Sequence, residues 1–278
     1  MDYKLVAIDL DGTLLTDDKE ISKDNLDTLR SLIDKGIEVI IATGRRYWSA
    51  KKLIENLNMN IIIISNNGNI VRRVKDDKIL IEKYLDLKDF NMLLREGKKL
   101  NLHPILHTNS YEKGWDFVVE YDINDKRYKN YISSEEKRYK RIRNFIDYED
   151  DKILVACYLD EYKKLDSFIK EIENKYPNKF SYHIMRNLNK SGPILEVMNP
   201  LGSKWNSIME YANEKDIMDK EIITIGDDNN DVEMLKESGL GIAMKNGCNE
   251  AKQSSDIISS RDNNNSGVAF ELKRIFDI

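Results

Sequence analysis

The sequence predicts an α/β fold in which a doubly wound parallel sheet is interrupted by an inserted α+β module. Two observations support this: short apolar strands alternate with helical periodicity at both ends of the chain, and the pattern changes in the middle. At 278 residues, the chain has about the size at which one domain becomes two. We therefore expect a core formed by residues 1–83 and 191–278, with residues 84–190 forming a second domain.

The first eighty residues carry the parallel-sheet pattern. Short β-branched runs predict buried strands at Lys4–Ile8, Ile37–Ala42 and Ile61–Ile64. Between the first two strands, Ser22 is a suitable N-cap for a helix, and Gly36 is suited to its C-terminus. After the Asn67-Gly68 turn, apolar runs on both sides of Asp76-Asp77 predict a hairpin.

The inserted module has a different composition, rich in Lys, Glu, Asp, Asn and Tyr. Apolar runs predict strands at Ile105–Thr108, Phe117–Glu120, Leu154–Leu159 and Phe180–Met185, with a helix between the last two. Mixed charges and spaced apolar residues over Ser133–Asp151 favour a solvated helix face over an interaction tail. From Ile194 the α/β alternation resumes, with strands predicted at Ile222–Ile225, Leu240–Ala243 and Asp256–Ile258.

The composition excludes several classes of protein. A net charge of −5 gives no electrostatic reason to expect nucleic acid. No run approaches the roughly 20 apolar residues of a membrane span, and the chain begins directly in a strand, so we expect no membrane partner and a cytoplasmic location. With only Cys157 and Cys248, the chain is not a disulfide scaffold, and without His and Cys clusters these residues are not expected to bind metal.

Two acidic clusters follow predicted strands, where ligands bind in open α/β sheets. The first is Asp9-Leu10-Asp11-Gly12-Thr13, and the second is Gly226-Asp227-Asp228-Asn229-Asn230-Asp231. Carboxylates gathered at one edge repel one another unless a cation offsets their charge, and hard oxygen ligands suit Mg²⁺. Alternatively, the first cluster is an ordinary turn, and the second caps the helix that begins near Val232.

Candidate phosphate donors occur at two further strand or helix ends. Thr43-Gly44-Arg45 follows the second strand, and Lys204 begins the helix after Pro200-Leu201-Gly202-Ser203. A hydroxyl, a helix N-terminus and an ammonium group all donate to phosphate oxygens. Each feature also has an ordinary explanation, since Thr43 can cap a helix and a single lysine is usually solvated.

The order of these four features along one α/β frame resembles that of the haloacid dehalogenase superfamily, and within it the Cof-type sugar phosphatases. The resemblance spans nearly the whole chain, and the first two motifs correspond to residues 9–13 and 42–45, the third to Lys204 and the fourth to residues 226–231. It implies a Rossmann-like core with a C2B-type cap that confers substrate specificity.

The resemblance also implies a role for each motif residue. Asp9 is the expected nucleophile, and Asp11 is the expected general acid and base, a role that favours a raised carboxyl pKa. The side chains of Asp9 and Asp227 and the main-chain carbonyl of Asp11 are the expected Mg²⁺ ligands. The expected phosphate ligands are Thr43, Gly44, Lys204 and Asn230.

Other residues are expected to act around these groups. Asp231 would orient Lys204 or a metal-bound water. Arg45 and a cap histidine, His107 or His183, are candidates for contacting the leaving group.

The predicted activity is hydrolysis of small phosphorylated metabolites, with sugar phosphates as the leading substrate class. Two alternatives stay open. A phosphomutase or phosphotransferase would pass the phosphoryl group to a sugar hydroxyl instead of water, and a non-catalytic sensor would only bind a phosphorylated ligand. The sequence defines neither the substrate nor the oligomeric state.

Overall fold

The computed structural model describes residues 3–57, 59–128, 131–132, 137–150, 152–188 and 192–278. The chain divides into two compact units, the first comprising Met1–Glu82 with Ser203–Ile278 and the second comprising Lys83–Gly202. Within the described ranges, no helix is long and apolar enough to cross a membrane.

Strands and helices alternate through most of the chain. The strands are β1 (Leu5–Ile8), β2 (Glu38–Ala42), β3 (Ile62–Ser65), β4 (Ile70–Arg73), β5 (Ile79–Glu82), β6 (Ile105–Thr108), β7 (Phe117–Val119), β8 (Tyr139–Arg141), β9 (Ile153–Leu159), β10 (Ser181–Leu188), β11 (Gly192–Met198), β12 (Ile222–Gly226), β13 (Leu240–Ala243) and β14 (Ile257–Ile258). The α-helices are α1 (Lys23–Asp34), α2 (Tyr47–Ile54), α3 (Leu87–Lys99), α4 (Tyr162–Lys175), α5 (Lys204–Asn213), α6 (Val232–Glu237), α7 (Asn249–Gln253) and α8 (Gly267–Phe276).

The first unit contains an eight-stranded sheet in the order β14-β13-β12-β1-β2-β3-β4-β5. The strands from β14 to β3 are parallel, and β4 and β5 extend the edge as an antiparallel hairpin. The predicted doubly wound α/β fold is therefore confirmed. From β1 the chain builds the sheet outward to β3, and it later continues from β12 on the other side of β1. In α/β proteins, ligands bind outside the carboxyl ends of the strands at such a reversal of strand order, which here lies between β1 and β12.

Local sequence signals account for β1 and for both ends of α1. All four residues of β1 are fully buried, as expected for a central strand covered on both faces. Ser22 caps α1 by accepting a hydrogen bond from the backbone N–H of Asn25 at 3.2 Å. Gly36, just beyond α1, has a φ of +82°, a conformation that glycine adopts without steric cost.

The second unit contains a six-stranded sheet in the order β10-β11-β9-β6-β7-β8. Its strands are antiparallel except for the pairing of β7 with β8. Buried residues of α3 and α4, including Phe90 and Phe168, share one hydrophobic core with Ala156, Tyr158 and Leu195 of the sheet. The unit thus has its own core, formed by one face of the sheet and two helices.

Two features of the second unit differ from the sequence-based prediction. The chain was predicted to return to the core at residue 191, but β11 pairs with β9 and β10, and the boundary falls after Gly202. Residues 189–191 lie outside the described ranges. The helix predicted over Ser133–Asp151 is wrong in its described part, which contains β8 and a 3₁₀ turn at Phe145–Asp147. Phe145 is fully buried, and its N–H donates to the side chain of Glu120 at 2.7 Å. These two contacts hold the segment in place without a regular helix.

Candidate active site

Three central strands bring the sequence-predicted site residues to one edge of the first sheet. Asp9 follows β1, Thr43 follows β2 and Asp227 follows β12. Ile8 of β1 is in register with the last part of both neighbouring strands, so all three strands end at the same level. The parallel register therefore accounts for the convergence of segments more than 200 residues apart.

Lys204 lies among the acidic groups and links two of them. Its Nζ is 2.6 Å from Asp9 Oδ1 and 2.6 Å from Asp231 Oδ1, and its side chain is almost completely buried. Ser203 caps α5 by accepting a hydrogen bond from the N–H of Asn206 at 3.0 Å, which places Lys204 in the first turn. A buried lysine with two carboxylate partners is fixed in position and charge.

Asp9, Asp227 and Asp231 each offer a carboxylate oxygen, and these atoms lie within 4.8 Å of one another. Asp231 uses both oxygens elsewhere, because Oδ1 binds Lys204 and Oδ2 accepts the backbone N–H groups of Asp227 (2.9 Å) and Asp228 (3.1 Å). Asp227 Oδ1 accepts a hydrogen bond from Thr13 at 2.7 Å. Asp9 and Asp227 each retain one oxygen that accepts no hydrogen bond from the described part of the chain.

Glycine allows the two acidic segments to approach closely. Gly12 has a φ of +79°, and a Cβ there would overlap the carboxylate of Asp227. At Gly226, a Cβ would overlap the side chain of Asp231 at 2.5–2.7 Å. The close approach of the Asp227 and Asp231 side chains therefore explains why each acidic cluster contains a glycine.

The carboxylates of Asp9 and Asp227 carry strongly perturbed pKa values. Burial is the main cause of the raised pKa of Asp9, which Asp231 and Asp227 raise further, while Lys204 opposes the shift. Burial, together with the charge of Asp231, raises the pKa of Asp227 to about 7. Without a cation, burial and the neighbouring carboxylates thus disfavour the ionised forms of Asp9 and Asp227.

Asp11 does not have the raised pKa expected for it. Arg45 donates to both carboxylate oxygens at 2.5 and 2.7 Å, and Lys19 donates to Oδ1 at 2.8 Å. Burial alone would raise the pKa of Asp11, but these hydrogen bonds and charges outweigh it and lower the pKa to about 2. Arg45, expected to face a leaving group, is in this structure a partner of Asp11.

A turn at Asn66–Gly68 joins the Thr43-Gly44-Arg45 loop to the rest of the site. All three residues of the turn have positive φ values, from 51° to 101°. The N–H of Asn67 donates to the carbonyl of Thr43 at 3.1 Å, and Asn67 Oδ1 accepts a hydrogen bond from Asn230 Nδ2 at 2.9 Å. The expected phosphate ligands Thr43 and Asn230 are therefore held by one common partner.

Gly68 anchors this turn to α5. A Cβ at Gly68 would overlap the backbone carbonyl of Ser203, and the carbonyl of Gly68 accepts a hydrogen bond from Ser207 at 2.6 Å. Since Lys204 directly follows Ser203, this contact fixes the start of the helix that carries Lys204.

Sequence analysis did not assign a site role to Asn67, Thr13 or Lys19. Asn67 carried a signal, because Asn-Gly marks a turn, but a turn signal does not identify the partner of the side chain. Thr13 belonged to an acidic motif in which only the carboxylates were considered. Lys19 lies in a loop with a φ of +64°, and nothing in its sequence neighbourhood indicates that it reaches Asp11.

Comparisons with known proteins identify the family of this chain. The family model for haloacid dehalogenase-like hydrolases matches residues 6–272. Two Bacillus subtilis proteins named 5-amino-6-(5-phospho-D-ribitylamino)uracil phosphatase are similar to this chain over nearly their full length. The first is 29% identical, and the match covers 98% of this chain and 96% of the relative. The second is 25% identical, and the match covers 99% of this chain and 98% of the relative. A HAD-superfamily structure from Bacteroides thetaiotaomicron superposes with a TM-score of 0.82 at 21% identity, covering 100% of this chain and 96% of that one, which establishes the fold.

The fold and the phosphatase relatives define the class of this enzyme as a phosphoric monoester hydrolase. The chain belongs to the haloacid dehalogenase-like hydrolase family, as the resemblance of its sequence motifs implied.

Proposed function

We propose that the chain hydrolyses phosphate monoesters of small polyhydroxylated metabolites, sugar or polyol phosphates, through an aspartyl-phosphate on Asp9. The buried Asp9 carboxylate at the reversal of strand order carries this proposal. One of its oxygens is held by Lys204, which leaves the other to attack phosphorus. The two Bacillus subtilis relatives named for a phosphoribityl substrate support the substrate class.

The donor set fits Mg²⁺. The oxygens of Asp9 and Asp227 that lack a described partner are hard ligands, and a cation would stabilise the ionised forms that burial and the neighbouring carboxylates disfavour. The carbonyl of Asp11 is the third proposed ligand. When bound, Mg²⁺ would offset the charges of the carboxylates and of the substrate phosphate. Membership of this superfamily supports the same ion.

Four residues of the site are the proposed donors to the phosphate oxygens. Lys204 supplies an ammonium group, Thr43 a hydroxyl, Gly44 a backbone N–H and Asn230 an amide. Phosphoryl transfer depends mainly on positioning and charge stabilisation, which such fixed donors provide. Asp231 acts through Lys204 and through the backbone of Asp227, and it therefore has a positioning role.

Asp11 is the proposed proton donor to the leaving alkoxide and the proposed base toward water. As the pair with Arg45 and Lys19 keeps its pKa at about 2, Asp11 can carry a proton near neutral pH only after these contacts loosen. A substrate phosphate that attracts Arg45 would loosen them and so connect substrate binding to acid catalysis. The second unit is the proposed specificity cap.

The test is phosphate release from a panel of sugar and polyol phosphates, including 5-amino-6-(5-phospho-D-ribitylamino)uracil, with Mg²⁺ or a chelator. We expect Mg²⁺-dependent activity that falls by on the order of 10⁴-fold or more in Asp9→Asn. Asp34→Asn, the same change at an exposed position of α1, is the matched control and should retain activity. Equal activity in wild type and Asp9→Asn would refute the nucleophile, and transfer of phosphate to another hydroxyl without release would indicate a phosphotransferase.

A further inference from the structure

Three metal-binding side chains lie together on one face of the sheet in the second unit. His107 on β6, Cys157 on β9 and Glu196 on β11 belong to three adjacent strands, and Cys157 is directly opposite Glu196. Their exposed fractions are 2%, 0% and 2%. Ala156 and Tyr158, the neighbours of Cys157, belong to the core with α3 and α4, so the cluster is on the opposite face of the sheet.

The distances within this cluster are close to those of a metal site. Cys157 Sγ is 3.3 Å from His107 Nε2 and 4.0 Å from Glu196 Oε1, and all three ligand atoms lie within 4.8 Å of one another. Tetrahedral Zn²⁺ with typical Zn–S and Zn–N bond lengths would separate sulfur from nitrogen by about 3.6 Å. The sulfur–nitrogen distance of 3.3 Å and the sulfur–oxygen distance of 4.0 Å are therefore close to the separations that such an ion requires.

The surroundings of His107 are compatible with the imidazole tautomer that binds metal through Nε2. Nε2 lies 3.1 Å from the hydroxyl of Tyr131 and 3.3 Å from the thiol of Cys157, two groups that can donate a hydrogen bond. An Nε2 that accepts from either group is unprotonated, and in that tautomer its lone pair is available to a metal ion. The ring also stacks on Tyr131 and contacts Phe117 edge-on, which restricts its orientation.

We propose that His107, Cys157 and Glu196 form a binding site for a transition-metal ion of Zn²⁺ type. The sequence analysis expected no metal at either cysteine, because these three residues are far apart along the chain and only the sheet brings them together. Thiolate, imidazole and carboxylate suit Zn²⁺, whereas Mg²⁺ prefers oxygen ligands alone, so the proposed site differs in selectivity from the acidic edge of the first unit. Binding displaces the proton of the Cys157 thiol.

Cobalt substitution tests the site without relying on enzymatic activity. Co²⁺ bound to a thiolate gives a sulfur-to-metal charge-transfer band, and oxygen ligands such as Asp9 and Asp227 cannot produce it. The chain has two cysteines, so Cys248→Ser is the matched control for Cys157→Ser. We expect the band in wild type and Cys248→Ser at one equivalent of Co²⁺, its loss on adding Zn²⁺, and its absence in Cys157→Ser. A wild type without the band, or a band that survives Cys157→Ser, overturns the proposal.

Two variants that keep the thiol guard against the possibility that Cys157→Ser disturbs folding. His107→Gln and Glu196→Gln should each weaken Zn²⁺ binding by about tenfold or more, measured by competition with a chromogenic chelator. Circular dichroism of the same samples checks that each variant is folded. An unchanged Zn²⁺ affinity in both folded variants overturns the proposal.

Discussion

Replacement of Lys204 by methionine tests how strongly the buried charges of the site depend on one another. Lys204 is 2% exposed, and its ammonium group is 2.6 Å from both Asp9 and Asp231. Methionine fills much of the same volume but leaves both buried carboxylates without their cation. Loss of one partner from a buried ion pair costs about 3–5 kcal/mol, so we expect the free energy of unfolding to fall by that amount.

The assay is urea denaturation at neutral pH in the presence of a chelator, since a bound divalent cation would partly replace the lost charge. Lys215→Met is the matched control, because Lys215 is 47% exposed and lies 3.3 Å from Glu38. An exposed pair contributes at most about 1 kcal/mol. We also expect the loss in Lys204→Met to shrink as the pH falls, because burial already raises the pKa of Asp9 and protonation removes its charge.

A double-mutant cycle locates the effect in the ion pair. In an Asp9→Asn background, Lys204→Met should cost less, and the difference defines a coupling energy of about 1–3 kcal/mol. If Lys204→Met lowers the free energy of unfolding no more than Lys215→Met does, the buried ion pairs of Lys204 do not stabilise the fold as described.

Two further predictions concern stability. Gly68→Ala should lower the free energy of unfolding by about 2–4 kcal/mol in urea denaturation, because its φ is +101° and a Cβ would overlap the backbone of Ser203. The control Gly36→Ala also has a positive φ but no neighbour within 4 Å, and it should lower the free energy of unfolding by about 1 kcal/mol. Equal losses in the two variants would contradict the steric contact at Gly68. In the metal-free protein, the native pKa of Asp227 at about 7 lies above its unfolded value, so its contribution to stability is complete below about pH 4 and is lost as the pH rises to about 7. Mg²⁺ or Asp227→Asn should flatten this part of the pH profile of the melting temperature, and a slope that persists in Asp227→Asn would assign it to another group.

The strands of the first unit were predicted more accurately than those of the second, for a physical reason. Leu240–Ala243 was predicted with its observed bounds, because a buried parallel strand is a short apolar run. The run in β11 looks the same, and only its pairing with β9 and β10 assigns it to the second sheet. Helix α3 had a readable signal that was overlooked, since Asp86 caps its N-terminus and Phe90, Leu93 and Leu94 share one face.

For the candidate site, the sequence identified the acidic residues but not their pairing. Asp9 and Asp227 could be predicted from their positions after apolar strands, because parallel strands end at a common edge. The pair of Asp11 with Arg45 depends on the orientations of two side chains from different loops, which no local pattern encodes. The same holds for Asn67, whose turn was predicted while its hydrogen bond to Asn230 was not.

The contacts of Asp231 connect functions that the sequence motifs present as separate. One oxygen of Asp231 holds Lys204, which in turn holds the proposed nucleophile Asp9. Its other oxygen accepts the backbone N–H of Asp227, the proposed metal ligand. A change at Asp231 therefore acts at once on the proposed nucleophile, the proposed phosphate donor and the proposed metal ligand. Because Asp231 is fully buried and has both oxygens engaged, its effect on the reaction is exerted through the positions of these groups.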